Sequence, residues 1–184
     1  MTRRLFLVLA CIIFAGAHAS AQSRTTLVIL VRHAEKAAEP ATDPSLTAAG
    51  TVRARALAAA LANVRVEAVI TTELVRTGAT ALPVAEARGL TIEIVHTGAR
   101  DAHANAVADA VRAHAGQAVL VVGHSNTIPA IIAALGGPKL PDICDTQYST
   151  LFVLVVGEGR ADLVVSSYGA PSPDPTTTCP SSQR

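Results

Sequence analysis

Thr26-Leu27-Val28-Ile29-Leu30-Val31 is a short, β-branched and almost wholly apolar run that stops at Arg32-His33. A strand with one wet face alternates apolar and polar residues, so an unbroken run reads as a strand covered on both faces. Similar runs recur at 66–71, 91–96 and 118–123. Between them lie alanine-rich stretches at 47–63, 74–88 and 101–115 with helical spacing, and a fourth, 127–135, halts at Gly136-Gly137. Strands buried on both faces and alternating with helices imply a parallel sheet between two helical layers. The end of the chain differs: 150–156 and 161–167 flank Gly157-Glu158-Gly159-Arg160 and read as a hairpin. The expected fold is therefore α/β, a three-layer αβα sandwich whose mostly parallel, mixed sheet ends in a C-terminal antiparallel hairpin.

The chain has 184 residues, of which 50% are hydrophobic and 16% charged, with a formal net charge of +1. That is enough apolar content for one domain core, and it lacks the basic excess of a nucleic-acid surface. The N-terminus reads as an export signal: Arg3 and Arg4, an apolar run over 5–17, and small residues permitting cleavage after Ala19 or Ala21. The run is too short to span a bilayer, so no integral membrane segment is expected once the signal is removed, and the mature chain is expected to be secreted or periplasmic. Val8-Leu9-Ala10-Cys11 resembles a lipoprotein box, but the apolar run continues past Cys11, which argues against cleavage there. The expected division is a signal at 1–21, a domain at 22–168 and a Pro/Ser/Thr-rich tail at 169–184. Cys144 and Cys179 remain as an even pair for an oxidising compartment, where a disulfide would tether the tail.

In open α/β sheets, ligands bind beyond the carboxyl ends of the strands. Arg32-His33 follows the first strand, Thr71, Thr72, Glu73 and Arg76 follow the second, and His124, Ser125 and Asn126 follow the fourth. Two arginines and two histidines converging on one rim would repel one another without an anion between them. Guanidinium forks suit phosphate oxygens, and the start of the helix after Ser125-Asn126 offers backbone N–H donors. The expected ligand is a small phosphorylated compound or inorganic phosphate, bound by Arg32, Arg76, His124 and Ser125, with Glu35 counted among the binding residues.

Val31-Arg32-His33-Ala34-Glu35, Leu46-Thr47-Ala48-Ala49-Gly50, the stretch 71–81 and Val122-Gly123-His124-Ser125-Asn126 resemble, in order, the motifs of the histidine phosphatase superfamily, the phosphoglycerate-mutase-like group. The closer likeness is to its smaller, phosphohistidine-phosphatase-like branch. The resemblance implies a three-layer α/β fold and metal-independent hydrolysis of phosphoric monoesters with no cofactor. It makes His33 the nucleophile that becomes phosphorylated. Arg32 and Arg76 would hold the phosphoryl oxygens, and His124 would face the nucleophile. Glu35 either accepts a hydrogen bond that orients this loop or is an exposed carboxylate. Ala34 replaces the glycine common after the nucleophile, and its methyl group could narrow the pocket.

The general acid is harder to place. Asp101 is the first candidate by position and His96 the second, although an acidic residue opening a helix is also a common N-cap. His103 and His114 are expected to be solvated. The segment 138–148, with Asp142, Asp145 and Tyr148, borders the pocket or is a surface loop. Two other readings remain open: a non-catalytic periplasmic anion-binding domain, and a metal hydrolase using His33, His124 and a carboxylate.

Overall fold

The computed structural model describes residues 25–157, 159–174 and 179. The signal-like segment lies outside these residues. Ten elements follow one another: β1 (Thr26–Arg32), α1 (Ala48–Ala60), β2 (Val66–Thr71), α2 (Val75–Arg88), β3 (Ile92–Ile94), α3 (Arg100–Ala113), β4 (Ala118–Gly123), α4 (Thr127–Ala134), β5 (Thr150–Gly157) and β6 (Arg160–Ser167). The sheet runs β3-β2-β4-β1-β5-β6. Its first four strands are parallel, whereas β5 is antiparallel to β1 and β6 to β5. The three-layer sandwich with a mixed sheet and a C-terminal hairpin is the observed architecture.

The unbroken apolarity of β1 and β4 follows from the two layers. Val28 and Leu30 of β1, with Val119 and Val121 of β4, join Val107, Val111, Ile128 and Ile132 on the face covered by α3 and α4. Ile29, Val31, Leu120 and Val122 point the other way, to Leu57, Ala81 and Val84 of α1 and α2. Neither face of these strands meets water. β3 is shorter than its sequence run, three residues at the sheet edge, and is half-buried or exposed along its length.

Local chemistry explains how the connections begin. Thr47 caps α1, its Oγ1 accepting from the Gly50 amide at 3.0 Å, while its own amide donates to the Glu35 carbonyl at 2.9 Å. A Cβ on Gly50 would collide with that same carbonyl, so only glycine lets α1 approach the loop after β1 so closely. Pro129 is tolerated in α4 because it falls in the first turn, where its missing N–H has no intrahelical partner to lose. Among the described residues, no helix is long and apolar enough to cross a membrane.

The C-terminal segment is more ordered than its composition suggests. Cys144 and Cys179 form a disulfide, and both residues are buried. Ser172 Oγ accepts from the amides of Tyr148 and Ser149 at 2.8 and 3.0 Å. Arg53 donates to the carbonyls of Tyr168 and Ala170 at 3.2 and 2.9 Å. Polar contacts rather than apolar periodicity hold this part of the tail down.

Candidate active site

Parallel strands with matched register end together. Arg32 lies opposite Gly123, and Thr71 opposite Val122, so the segments after β1, β2 and β4 meet along one rim. The His33 amide donates to the Gly123 carbonyl at 2.9 Å and locks the first two together. A cavity of about 410 Å³ opens there, lined by Arg32, His33, Lys36, Arg76, His103, His124, Ser125, Asn126 and Asp145, among others.

The imidazoles of His33 and His124 face each other, with ring centroids 5.5 Å apart and planes at 63°. His33 is 3% exposed and His124 9%. Nδ1 of His33 lies 2.8 Å from the Ala34 carbonyl. A carbonyl can only accept, so Nδ1 carries the ring proton and Nε2 keeps its lone pair. Around His124 two threonine hydroxyls form a short chain. Thr77 Oγ1 lies 2.8 Å from the carbonyl of Leu74, 3.1 Å from that of Thr72 and 2.9 Å from Thr72 Oγ1. Thr72 Oγ1 in turn lies 3.3 Å from Nε2 of His124 and pairs with it as donor or acceptor according to the tautomer. His33 thus presents a lone pair, with His124 Nε2 paired to the Thr72 hydroxyl.

Both rings are held neutral. Burial, reinforced by Arg32, His124 and Arg76 and opposed by the Ala34 carbonyl, lowers His33 from the ordinary 6.5 to about 3. Burial, with Arg76, His103 and Arg32 as the main further causes, lowers His124 to about 4. Between pH 6.5 and those values the unfolded chain binds protons at these positions that the folded chain refuses. Their contribution to stability is therefore complete above pH 6.5 and declines as pH falls toward 3. Ring NMR signals of His33 and His124 are expected not to titrate between pH 5 and 8, and the denaturant midpoint is expected to be lower at pH 5 than at pH 7. A His33 ring titrating near 6.5 would contradict the geometry.

Arg32 is 5% exposed and is held by the segment after α4. Its Nη1 donates to the carbonyls of Cys144, Asp145 and Gln147 at 3.0, 3.0 and 3.3 Å. Its guanidinium lies 4.2 Å from the centre of the Tyr148 ring, and Nη2 is 3.7 Å from an Asp145 carboxylate oxygen. The 138–148 segment therefore borders the cleft. The disulfide at Cys144 braces the carbonyls that hold this arginine. Arg76 sits in the first turn of α2, its Nη1 3.6 Å from Asp43, which also accepts from the Val75 amide. In both arginines the Nε–H is buried and has no partner. An unsatisfied buried donor costs about 1–3 kcal/mol.

Several expected residues fall elsewhere. Asp101 lies in the first turn of α3 and lines a separate hollow with Pro129, Ala133 and Leu140. The α3 cap position is Ala99, so Asp101 is neither an N-cap nor a member of the cleft. His96 points outward toward Glu73 at 3.8 Å and does not line the cleft. Glu35 also lies behind the cleft rather than in it. Burial raises its carboxyl, but bonds from Arg53 Nε and Nη2 at 2.9 and 2.7 Å outweigh that, and it stays below the usual carboxylate range. It orients the loop through Arg53. Ala34 is fully buried, with its amide donating to Thr80 Oγ1 at 2.9 Å, so its methyl does not narrow the cleft.

Two further corrections concern donors. The Thr127 and Ile128 amides at the start of α4 donate to the His124 carbonyl at 3.2 and 3.1 Å, which leaves fewer backbone donors for an anion than helix polarity suggests. His103 is buried, 4% exposed, and lines the cleft, whereas the alanine-rich composition of α3 suggested solvent. The missed signal is a stripe at helical spacing, with His103, Val107 and Val111 buried along one side. Glu73 accepts from the Thr97 amide and hydroxyl, the hydroxyl bond lowering its carboxyl to about 2, and so fixes the short segment before α3. Among the described residues, no group of three or more His, Cys, Asp or Glu is placed to hold a metal ion.

Residues 28–99 match the sequence pattern of the histidine phosphatase superfamily, branch 1. No curated protein matches the chain. Among solved structures, it resembles the protein histidine phosphatase SixA complexed with tungstate, with TM-score 0.61 and 20% identity over 77% of this chain and 96% of that one. It likewise resembles a mycobacterial glucosyl-3-phosphoglycerate phosphatase in complex with VO3, with TM-score 0.61 and 18% identity over 78% and 99% of the two chains. YhfR of Bacillus stearothermophilus gives TM-score 0.62 and 20% identity over 79% and 98%. The matched segment, which carries Arg32, His33 and Arg76, resembles the histidine phosphatase superfamily, branch 1, and the chain shares its fold with these solved neighbours.

Proposed function

We propose that the chain is an exported phosphatase that hydrolyses small phosphoric monoesters through a phosphohistidine on His33. The observation that carries this reading is the pair of imidazoles with centroids 5.5 Å apart, in a cavity also lined by the guanidinium-bearing Arg32 and Arg76. A phosphoryl group is an anion with a site for in-line attack, and it suits both the cations and the nucleophile. Nε2 of His33 attacks phosphorus and the bond to the ester oxygen breaks. Arg32 and Arg76 carry the charge on the phosphoryl oxygens, and the His124 ring, facing the nucleophile, donates its N–H to one of them. Water then attacks phosphorus, the P–N bond breaks, and His33 recovers its lone pair. Ser125 lines the cleft as a further polar contact.

The tungstate and VO3 complexes of the structural neighbours support an anion of this geometry. The cavity is modest, and Tyr148 is engaged with Arg32, which favours small leaving groups over bases or sugars that need stacking. Export rests on the signal-like 1–21 segment, and the Cys144–Cys179 bridge accords with an oxidising compartment. Incubation with 4-nitrophenyl phosphate is expected to release phosphate, to be inhibited by vanadate and, after acid-free quenching, to leave an acid-labile phosphoryl group on His33. Vanadate binding without turnover would instead favour the anion-binding domain.

A further inference from the structure

His103 stands at the cleft end of the buried stripe of α3, and the reaction described above gives it no role. Its ring is 4% exposed, yet it lines the same cavity as His33 and His124. Nδ1 lies 2.9 Å from the His96 carbonyl, which can only accept, so that nitrogen is committed as a donor. Nε2 makes no hydrogen bond and is not among the sealed, unpartnered buried atoms, so the small exposed part of this ring opens into the cavity. His103 is also near enough to His124 to help lower that ring's affinity for a proton, and both line the cavity. The two residues expected to supply a proton, Asp101 and His96, are both outside the cavity. Its one lining carboxylate, Asp145, has a side chain that is 78% exposed and faces Arg32.

We infer that His103 is the general acid and base of this phosphatase, a proposal that rests on the phosphohistidine reading. Imidazole is the side chain that gains and loses a proton most readily near neutrality. In the first half-reaction the P–Nε2 bond to His33 forms and the P–O ester bond breaks. The Nε2 proton of cationic His103 passes to the departing oxygen, giving the alcohol and a neutral imidazole. In the second, neutral His103 takes a proton from the attacking water as the P–N bond breaks, and inorganic phosphate leaves. His103 ends protonated, as it began.

The test separates this role from packing by leaving-group chemistry. His103→Asn keeps an N–H where Nδ1 donates to the His96 carbonyl and removes Nε2, whereas His103→Ala removes both. Each is compared with the full-length protein on phenyl phosphate, whose leaving group is about as basic as a tyrosine phenolate near 10, and on 4-nitrophenyl phosphate, which needs little protonation. His103→Asn is expected to lower kcat/KM for phenyl phosphate by about 10²-fold or more and for 4-nitrophenyl phosphate by under about tenfold. Its thermal midpoint should stay near that of the parent. Equal losses on both substrates, or a steeper leaving-group dependence in His103→Ala but not in His103→Asn, would make His103 structural and overturn the inference. Parent-like ratios in both variants, with phospho-His33 still trapped, would overturn it while leaving the phosphohistidine reading intact. Failure of the unaltered protein to form phospho-His33 would remove both.

Discussion

His33→Ala is expected to reduce turnover of 4-nitrophenyl phosphate by about 10⁴–10⁶-fold, the range seen when a covalent nucleophile is deleted from an enzyme. The size of the effect follows from the chemistry. The Ala34 carbonyl at 2.8 Å sets the tautomer of His33, and its ring stands against that of His124 with centroids 5.5 Å apart. Vanadate binding should survive in part, since Arg32, Arg76 and His124 stay in place. The backbone bond from residue 33 to the Gly123 carbonyl does not involve the side chain, so the rim should persist. Isothermal titration with vanadate beside steady-state kinetics checks both halves. Turnover within tenfold of the parent would assign the nucleophile elsewhere.

Arg76→Lys is expected to lower kcat/KM by about 10²–10³-fold, the usual cost of removing one preorganised donor to a developing oxyanion. Charge alone does not explain this expectation. Lysine keeps the cation and can still reach toward Asp43, now 3.6 Å from Nη1, but an ammonium lacks the planar fork with which a guanidinium meets two phosphoryl oxygens. The structure also limits the role of Asp43. It caps α2 through the Val75 amide at 3.0 Å and therefore positions the arginine whether or not phosphate is bound. Parent rates in Arg76→Lys would show that this guanidinium serves the helix rather than the phosphoryl group.

The strand pattern was legible because burial on two faces forces continuous apolarity, which a linear sequence displays directly. β1 and β4 show it, and their carboxyl ends mark where Arg32, His33 and His124 meet. The Leu46–Gly50 motif was legible for a similar reason: a local cap and a close backbone approach admit few residue types. Glu35 and Arg53, 18 positions apart, pair through side chains whose partners no periodicity announces. Sequence order put Asp101 just after β3, whereas the turn of α3 places it beside Arg100 in a separate hollow and brings His103 to the cleft.

The amino-acid order by itself determined the layers, the strand ends and the four residues of the central cluster, since each depends on local periodicity or on the ends of adjacent parallel strands. Tertiary structure alone decided which ring nitrogens of His33 and His103 face a carbonyl, which carbonyls grip Arg32, and which third imidazole enters the cleft. Those outcomes depend on contacts between segments up to 115 positions apart, where hydrogen-bond direction and burial are fixed only when the chain has closed around them.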